Sequence, residues 1–512
     1  MTRSLRQSMN LLHTWAGILF GGLVFLIFFM GTISVFDDEL DRWMMPQTRA
    51  AATGDVGYDA ALATVLGDLE VEDEPVFLYP PSPRRPVYAA HYHGPGDTHL
   101  QRFVDPGTGE MLPPPGTLGA GGFFYPMHYG LHLDKAGMPM LGYWIVGLAA
   151  MVVLAMSVSG VIVHRRILRD LFSFRAERAR GRALLDLHNI GGVMALPFLF
   201  VMTLSGLIIF AHMHMPAGVL AAYPDADTFF HDAFPHPDRE PAGRPGALAS
   251  VDAMVAEADR IWGGGRPLGI GVIHPGDADA YVAMYRYTGD TIGYDYEQLT
   301  FDGASGALMH HQRVGPAMTV YRFLTGLHIA MFDHWSVLWL YFLMGLCCCA
   351  VIATGFLVWL DKRAQRAGRL GYRIVQAVGG ASTAGLALAT VAMLAANRLL
   401  PDMPGRADTE IAVFLGAWGC SLLAGLLRPG MPHLRLQLGA LAAGLCALPL
   451  LNALTTGDHL LRTVSRGDWA TAGCDLAFIT FGLLSAGAWR ALLPRHGTTA
   501  VTRADAIRGS AA

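Results

Sequence analysis

Eight long apolar segments limit what this chain can fold into more strongly than any other feature of its sequence. A helix needs about 20 predominantly apolar residues to cross the ~30 Å hydrocarbon core of a bilayer. Segments near that length lie at 11–36, 140–163, 188–211, 335–360, 374–400, 410–427, 435–455 and 470–492. Only 15% of the 512 residues are charged, compared with about a quarter in soluble domains. We therefore predict a mainly α membrane protein that crosses the bilayer eight times.

Basic residues predict how the helices are oriented. The loop 164–187 holds seven arginines, and the loop 361–373 holds Lys362 and four arginines. Since short loops rich in Lys and Arg stay in the cytoplasm, both loops and both termini are predicted to be cytoplasmic. The first apolar run is too long for a signal peptide and has no cleavage pattern, so it is predicted to stay as a spanning helix. In a bacterial inner membrane, the long segments 37–139 and 212–334 would then be periplasmic. The net charge of −4 gives no basic surface for nucleic acid.

The first two thirds of the chain is a tandem duplication. Leu12-His13 and Leu187-His188 are 175 residues apart, and Gly31 and Gly206 have the same separation. The outside segments share a turn pattern at 104–109 and 301–306, and each then has a Leu-His pair, at 131–132 and 327–328. This repeat predicts a unit of helix, small α+β domain and helix that is used twice.

The repeat also predicts the domain boundaries. They are helix 1 (1–36), a first outside domain (37–139), helix 2 with its basic loop (140–187), helix 3 (188–211), a second outside domain (212–334), helix 4 with its loop (335–370) and a C-terminal extension of about four helices (371–512). The extension lacks the Leu-His signature, and its sequence indicates no role beyond packing or partner contact.

Histidines near the helix ends fall into two layers. Those on the cytoplasmic side are His13, His164 and His188, and those on the outer side are His128, His132 and His328. Neutral imidazole is a good axial ligand for haem iron, and ligands from facing helices suit electron transfer. A single interfacial histidine more often caps a helix, but matched repeat positions argue against that interpretation here. The pattern therefore predicts a four-helix bundle that binds two b-type haems.

Within each layer the sequence leaves alternative ligands open. The cytoplasmic-side haem is predicted to take two of His13, His164 and His188. The outer haem is predicted to take His328 with His132, or with His128, because positions i and i+4 share one helical face. His212 and His214 are weaker candidates.

Other polar clusters indicate no second chemistry. The six cysteines lie inside apolar runs, as packing residues do, and His91, His93, His310 and His311 are interpreted as surface residues. Nucleotide-binding and zinc-protease motifs are missing from the sequence.

Residues 5–365 resemble the PepSY-associated transmembrane family, the iron-regulated membrane proteins that include FoxB-type siderophore reductases. The resemblance is carried by LHTWAG (12–17), FYPMHYGLHL (124–133), SGVIVHRRILRDLFSF (159–174), LDLHNIGGVMALPF (185–198), LTGLHIAMFDHW (324–335) and ATGFLVWLDKR (353–363). It implies two PepSY-type periplasmic domains, haem b and reduction of a ferric siderophore. The C-terminal extension departs from the minimal family plan.

The leading hypothesis is therefore a haem-dependent ferric-siderophore reductase, an oxidoreductase of the inner membrane. Its electron donor, cytoplasmic or quinol, is left open because the chain has no fused flavin reductase. One alternative is a non-enzymatic PepSY sensor or peptidase regulator, which needs no haem. Another is a component of a siderophore or iron transport system, although the last four helices show almost no intramembrane charge.

Overall fold

The computed structural model describes most of the chain. The described residues are 4–49, 54–69, 74–95, 98–164, 180–221, 223–233, 237, 239–287, 289, 291, 297–312 and 316–493. Most of the basic loop that was predicted after the second helix, residues 165–179, lies outside them.

Within the described residues, eight helices are long and apolar enough to cross a membrane. They are Leu5–Ser34, Pro139–Val163, Arg180–Ile209, Trp335–Asp361, Leu370–Leu399, Arg406–Leu427, Met431–Thr456 and Trp469–Ala491. The prediction of a multi-pass helical membrane protein is confirmed. We number these spanning helices one to eight; the fifth contains a π-helical turn at Ala381–Gly385.

The first and third spanning helices begin earlier than the apolar pattern predicted. Helix 1 starts at Leu5 because Ser4 and Gln7 form a capping box, which satisfies two backbone donors at the start of the helix. The described part of helix 3 begins at Arg180. His13 and His188 were expected at the helix ends, but both lie within their helices, His13 in Leu5–Ser34 and His188 in Arg180–Ile209.

The first four spanning helices form a bundle. Helices 1 and 3 each pack against both helices 2 and 4. Val24 and Ile27 of helix 1 form a buried apolar cluster with Ala149 and Val153 of helix 2. The bundle thus carries facing positions from both repeats in its interior.

The outside segments form one antiparallel sheet, and not two separate domains. Its strands are β1 (Val76–Tyr79), β2 (Tyr88–Gly94), β3 (Thr98–Val104), β4 (Pro267–Ile273), β5 (Tyr281–Arg286), β6 (Gln298–Asp302) and β7 (Leu308–Gln312). The strand order is β3-β2-β1-β4-β5-β6-β7. β1 of the first repeat pairs with β4 of the second, with Phe77 opposite Gly271. This pairing covers an edge that each half would otherwise expose, and it corrects the prediction of two independent domains.

The helices on the far face of this sheet are linked across the repeat. Gly57–Leu66 and Val251–Trp262 pack against the sheet in a shared apolar core. Asp252 accepts from the backbone N–H of Tyr58 (2.8 Å), and Asp59 accepts from that of Val251 (2.6 Å). Each helix thus supplies the carboxylate that caps the other.

Further helices connect the sheet to the bundle. They are Asp37–Met44, Gly121–Gly130, Ala211–His214, Pro216–Leu220, Ala226–Ala233 and Pro316–Ile329. The face of the sheet that carries Val87, Ala89 and Phe103 joins the same apolar core as Trp43 and Met30. We call the membrane face next to this sheet the sheet side and the opposite face the loop side.

The C-terminal helices are tied to the first repeat by polar contacts that their composition did not predict. Trp43 donates from Nε1 to Asp475 Oδ1 of helix 8 (2.9 Å), and Thr117 donates to Glu410 Oε2 of helix 6 (2.5 Å). Phe414 packs edge-on against Phe123 at 4.9 Å. The extension therefore contacts the Gly121–Gly130 helix directly. The short helix Leu460–Ser465 joins helices 7 and 8.

Arg49 is the most extensively bonded of these links, and its loss should destabilise the protein. Its side chain is 6% exposed and lies 2.9 Å from Asp458. It also donates to Asn452 (3.0 Å) and to the carbonyls of Arg42 (2.7 Å) and Trp43 (2.6 Å). Because hydrogen bonds to charged groups contribute about 1.5–3 kcal/mol each, Arg49→Gln should clearly lower the melting temperature in detergent. The exposed Arg260→Gln is the control, and equal melting temperatures for both variants would contradict this interpretation.

Candidate functional site

Two pairs of histidines meet inside the bundle, one pair near each side of the membrane. The loop-side pair is His13 of helix 1 and His188 of helix 3, with ring centres 6.3 Å apart and planes inclined at 76°. The sheet-side pair is His128 and His328, from the Gly121–Gly130 and Pro316–Ile329 helices, with ring centres 5.9 Å apart and planes inclined at 32°. Each pair takes one histidine from each repeat.

Every one of these four rings is fixed by the same kind of hydrogen bond. In the loop-side pair, His13 Nδ1 lies 3.1 Å from the carbonyl oxygen of Met156, and His188 Nδ1 lies 2.9 Å from that of Val351. The hydroxyls of Ser159 and Thr354 lie 3.1 and 3.3 Å from the same nitrogens.

In the sheet-side pair, His128 Nδ1 lies 2.7 Å from the carbonyl oxygen of Ile27. His328 Nδ1 lies 2.9 Å from that of Met202 and 3.2 Å from Ser205 Oγ. Since a carbonyl can only accept, Nδ1 carries the proton in all four rings, and Nε2 has a free lone pair.

A glycine follows each acceptor carbonyl by four residues. The pairs are Ile27 and Gly31, Met156 and Gly160, Met202 and Gly206, and Val351 and Gly355. A Cβ atom at Gly31 would lie 2.7 Å from His128 Nδ1, and one at Gly206 would lie 2.7 Å from His328 Cε1. The missing side chain therefore lets the ring reach a carbonyl that is already part of a helix.

The spacing of the rings suits two axial ligands of one iron. A metal–imidazole bond is about 2 Å long and the ring centre lies about 1 Å behind Nε2, so two such rings have centres roughly 6 Å apart. Both pairs have this separation. None of the four Nε2 atoms has a hydrogen-bond partner among the described residues, and orientation of a ligand through its other nitrogen is usual at metal sites. The ring spacing and the unpaired Nε2 atoms therefore suit iron ligation by each pair.

His132 does not lie beside His328, although the sequence favoured this partner. The helix ends at Gly130, and Leu131 and His132 have left-handed φ values of 56° and 52°, so His128 and His132 do not share a helical face. His132 Nε2 donates to the carbonyl of Phe123 (2.8 Å), and its ring packs against the Phe123 ring at 5.1 Å. In this position His132 fixes the helix that carries His128.

The remaining candidate histidines lie outside the two pairs. His164 directly follows helix 2, where its backbone N–H donates to Gly160 (2.9 Å). His212 packs against Phe230 at 4.8 Å. His214 Nε2 lies 3.2 Å from the carbonyl of Tyr143, and the ring lines the sheet-side cavity described below.

The histidines interpreted above as surface residues lie on strands of the sheet. In the part of the chain that the structure describes, no group of three or more His, Cys, Asp or Glu side chains is placed to hold a metal ion. His91 Nδ1 lies 3.3 Å from His99 Nε2, and burial lowers the pKa of His91 to about 4. His311 pairs with Glu297 at 2.6 Å.

A cavity of about 670 Å³ adjoins the sheet-side pair. Its volume falls in the range of about 300–1,000 Å³ that is typical of cofactor and ligand sites. His128, His328, Gly31 and Gly206 line it together with apolar and tyrosine side chains. The site predicted from the sequence therefore has space beside it on this side of the membrane.

A surface cleft of about 720 Å³ continues from this cavity. Ser82, Arg266, Tyr287 and Asp333 line both spaces. Burial and the neighbouring Asp333 raise the pKa of Tyr287, whose hydroxyl hydrogen-bonds to that carboxylate. The cavity thus opens toward the sheet, and a molecule in the cleft would approach the sheet-side pair through the cavity mouth.

Comparison with known proteins identifies the family. Residues 11–362 match the family described as the PepSY-associated TM region. The chain belongs to this family. It is 30% identical over 392 residues to the uncharacterized protein PA4219 of Pseudomonas aeruginosa, across 70% of this chain and 93% of the relative. Both histidine pairs lie within the family region, and helices 5 to 8 lie beyond it.

Sequence reasoning overlooked the carbonyl acceptors and the purpose of the glycines. Ile27 and Met202 are 175 residues apart, as are Gly31 and Gly206, while Met156 and Val351 are 195 apart, as are Gly160 and Gly355. The shared offset of Gly31 and Gly206 is visible in the sequence, but it does not show that these glycines mark the helix faces on which the sheet-side rings lie.

Proposed function

We propose that this chain is a b-type haem protein of the bacterial inner membrane that reduces ferric siderophores on the sheet side, which we assign to the periplasm. The observation that carries the proposal is the presence of two imidazole pairs with free Nε2 atoms and iron-compatible spacing. Bound haem would supply one-electron chemistry, with no open coordination position when both axial sites are histidine. We assign one haem to each pair.

The depth of the pairs supports transfer across the membrane. His13 and Ile27, whose carbonyl fixes His128, are 14 residues apart on helix 1, which is about 21 Å at 1.5 Å per residue. The two pairs therefore lie near opposite ends of the bundle. The chain's own contribution is to hold four neutral imidazoles in fixed positions, which the Nδ1 hydrogen bonds achieve.

The cleft supports an outside substrate. Four prolines give the cleft rigid walls, and its charged groups are Arg266 and the carboxylates of Asp55 and Asp333; the prolines are Pro81, Pro83, Pro86 and Pro106. The ferric ion is cargo in this proposal: hard oxygen chelators hold ferrous iron less tightly, so reduction releases it. The electron donor on the loop side is a cytoplasmic protein or a quinol.

The proposal is tested with the detergent-purified full chain. We expect a reduced-minus-oxidised b-type spectrum and about two low-spin haems per chain. Dithionite-reduced protein should be reoxidised by a ferric hydroxamate siderophore and not by its gallium(III) analogue, which binds alike but cannot accept the electron. Protein without haem, or reoxidation that does not depend on iron, would exclude this function.

A further inference from the structure

We propose that Arg85 and Arg266 bind carboxylates at the mouth of the sheet-side cavity, and that these carboxylates are the propionates of the haem held by His128 and His328. The inference rests on the proposed function and adds to it the residues that fix the outer edge of the cofactor. Both arginines line the cavity, and they come from different repeats.

Arg85 has a buried donor that nothing in the described chain satisfies. Its Nε is buried without a hydrogen-bond partner. The adjacent Arg84 is fully engaged by comparison, since it binds both oxygens of Glu39 at 2.8 and 2.6 Å. Because leaving a buried donor unpaired is costly, the contrast between these neighbours indicates that Arg85 has an acceptor outside the chain.

Arg266 is held in place at the same mouth without a carboxylate partner among the described residues. Its guanidinium lies over the ring of Tyr287 at 4.0 Å, and Nη1 donates to the carbonyl of Pro81 at 3.1 Å. These contacts orient the planar group and leave other N–H donors available. A fixed guanidinium is well suited to a carboxylate, which it can bind through two parallel hydrogen bonds.

The acidic residues of the cavity form no ion pair with these two cations among the described residues. Asp38 lies 3.7 Å from Arg84, and Asp333 accepts a hydrogen bond from the Tyr287 hydroxyl. Burial and the nearby Asp38 raise the pKa of Asp37. The lining therefore holds three arginines and three aspartates, and among the described residues neither Arg85 nor Arg266 forms an ion pair with a carboxylate.

Two sources of carboxylate or similar anionic groups fit this chemistry, the haem itself and an anionic ferric chelate in the cleft. We assign the haem because Arg85 lines the cavity that contains the histidine pair and is not among the residues that line the surface cleft. The experiment separates the two sources.

The first arm is a redox titration of Arg85→Gln in the purified haem protein. Loss of a cation near the haem carboxylates disfavours the reduced state, so the midpoint potential of the sheet-side haem should fall. At a fixed applied potential, the ratio of reduced to oxidised haem should fall roughly tenfold. This change corresponds to a shift in midpoint potential of about 59 mV for a one-electron couple. Arg260→Gln is the matched control, since this exposed arginine pairs with Glu257 and does not line the cavity, so the change should leave both potentials unchanged.

The second arm changes the cofactor. Wild-type protein loaded with haem dimethyl ester should show a higher midpoint potential, because the anionic carboxylates near the iron are lost. The fall caused by Arg85→Gln should be smaller with the ester than with haem b, because the arginine is then no longer held at the edge of the cofactor; Arg266→Gln serves for the same comparison if Arg85→Gln folds poorly. An equal fall with both cofactors, or no fall with either, together with a raised KM for an anionic but not for an uncharged ferric chelate, would assign the arginines to the substrate and overturn the inference. A wild-type protein without any b-type spectrum would overturn the proposed function as well.

Discussion

His128→Ala is expected to remove one haem from the protein, whereas His132→Ala is expected to retain both. The haem content of the purified His128→Ala variant should fall from about two to about one per chain, because a single remaining imidazole cannot form the low-spin six-coordinate site. His328→Ala should have the same effect. His132 bonds to Phe123 and does not face the pair, so its loss should lower stability and leave the low-spin spectrum intact.

Haem quantification and low-temperature EPR on the three variants measure this difference. His13→Ala supplies the complementary case, because it should remove the other low-spin signal and leave the sheet-side one. The prediction would be wrong if His132→Ala lost the sheet-side signal while His128→Ala kept its full haem content. That result would show that His128 and His328 are not the ligand pair.

The prediction of these ligands from the sequence was limited by a local repeat. Gly130-Leu131-His132 matches Gly326-Leu327-His328 letter for letter, which favoured His132. The helix that carries His128 ends at Gly130, and the next two residues, Leu131 and His132, are left-handed. The helix that carries His328 continues to Ile329. His128 and His328 are therefore the spatially equivalent pair. Tertiary packing determines where each of these helices ends, and the identical Gly-Leu-His letters do not reveal that difference.

The membrane-spanning architecture was more predictable than the outside region. Spanning segments are defined by the length of an apolar run, which is a local property of sequence. The union of the outside segments into one sheet depends on pairing between β1 and β4, which are far apart in the chain. The buried links of the extension are likewise single polar residues with distant partners: Asp475 lies 432 positions from Trp43, and Glu410 lies 293 positions from Thr117.

Gly206→Ala should disrupt the sheet-side site, whereas the equivalent loop-side change, Gly355→Ala, should be tolerated. A methyl group at position 206 would lie 2.7 Å from His328 Cε1, which forces the ring to move, while one at position 355 would lie 3.4 Å from His188 Cε1. Moving the ring separates Nδ1 from the Met202 carbonyl and turns Nε2 away from His128.

Stability alone would predict a different outcome. Alanine is favoured over glycine in a helix by about 1 kcal/mol, so both variants should fold if the glycines served only helix packing. We therefore expect Gly206→Ala to keep near wild-type melting while losing the sheet-side low-spin signal, as Gly31→Ala should through His128. Gly355→Ala should keep both signals. Identical spectra for the two substitutions would mean that the glycines do not set ring position, and the structural argument for iron ligation at the sheet side would lose its main support.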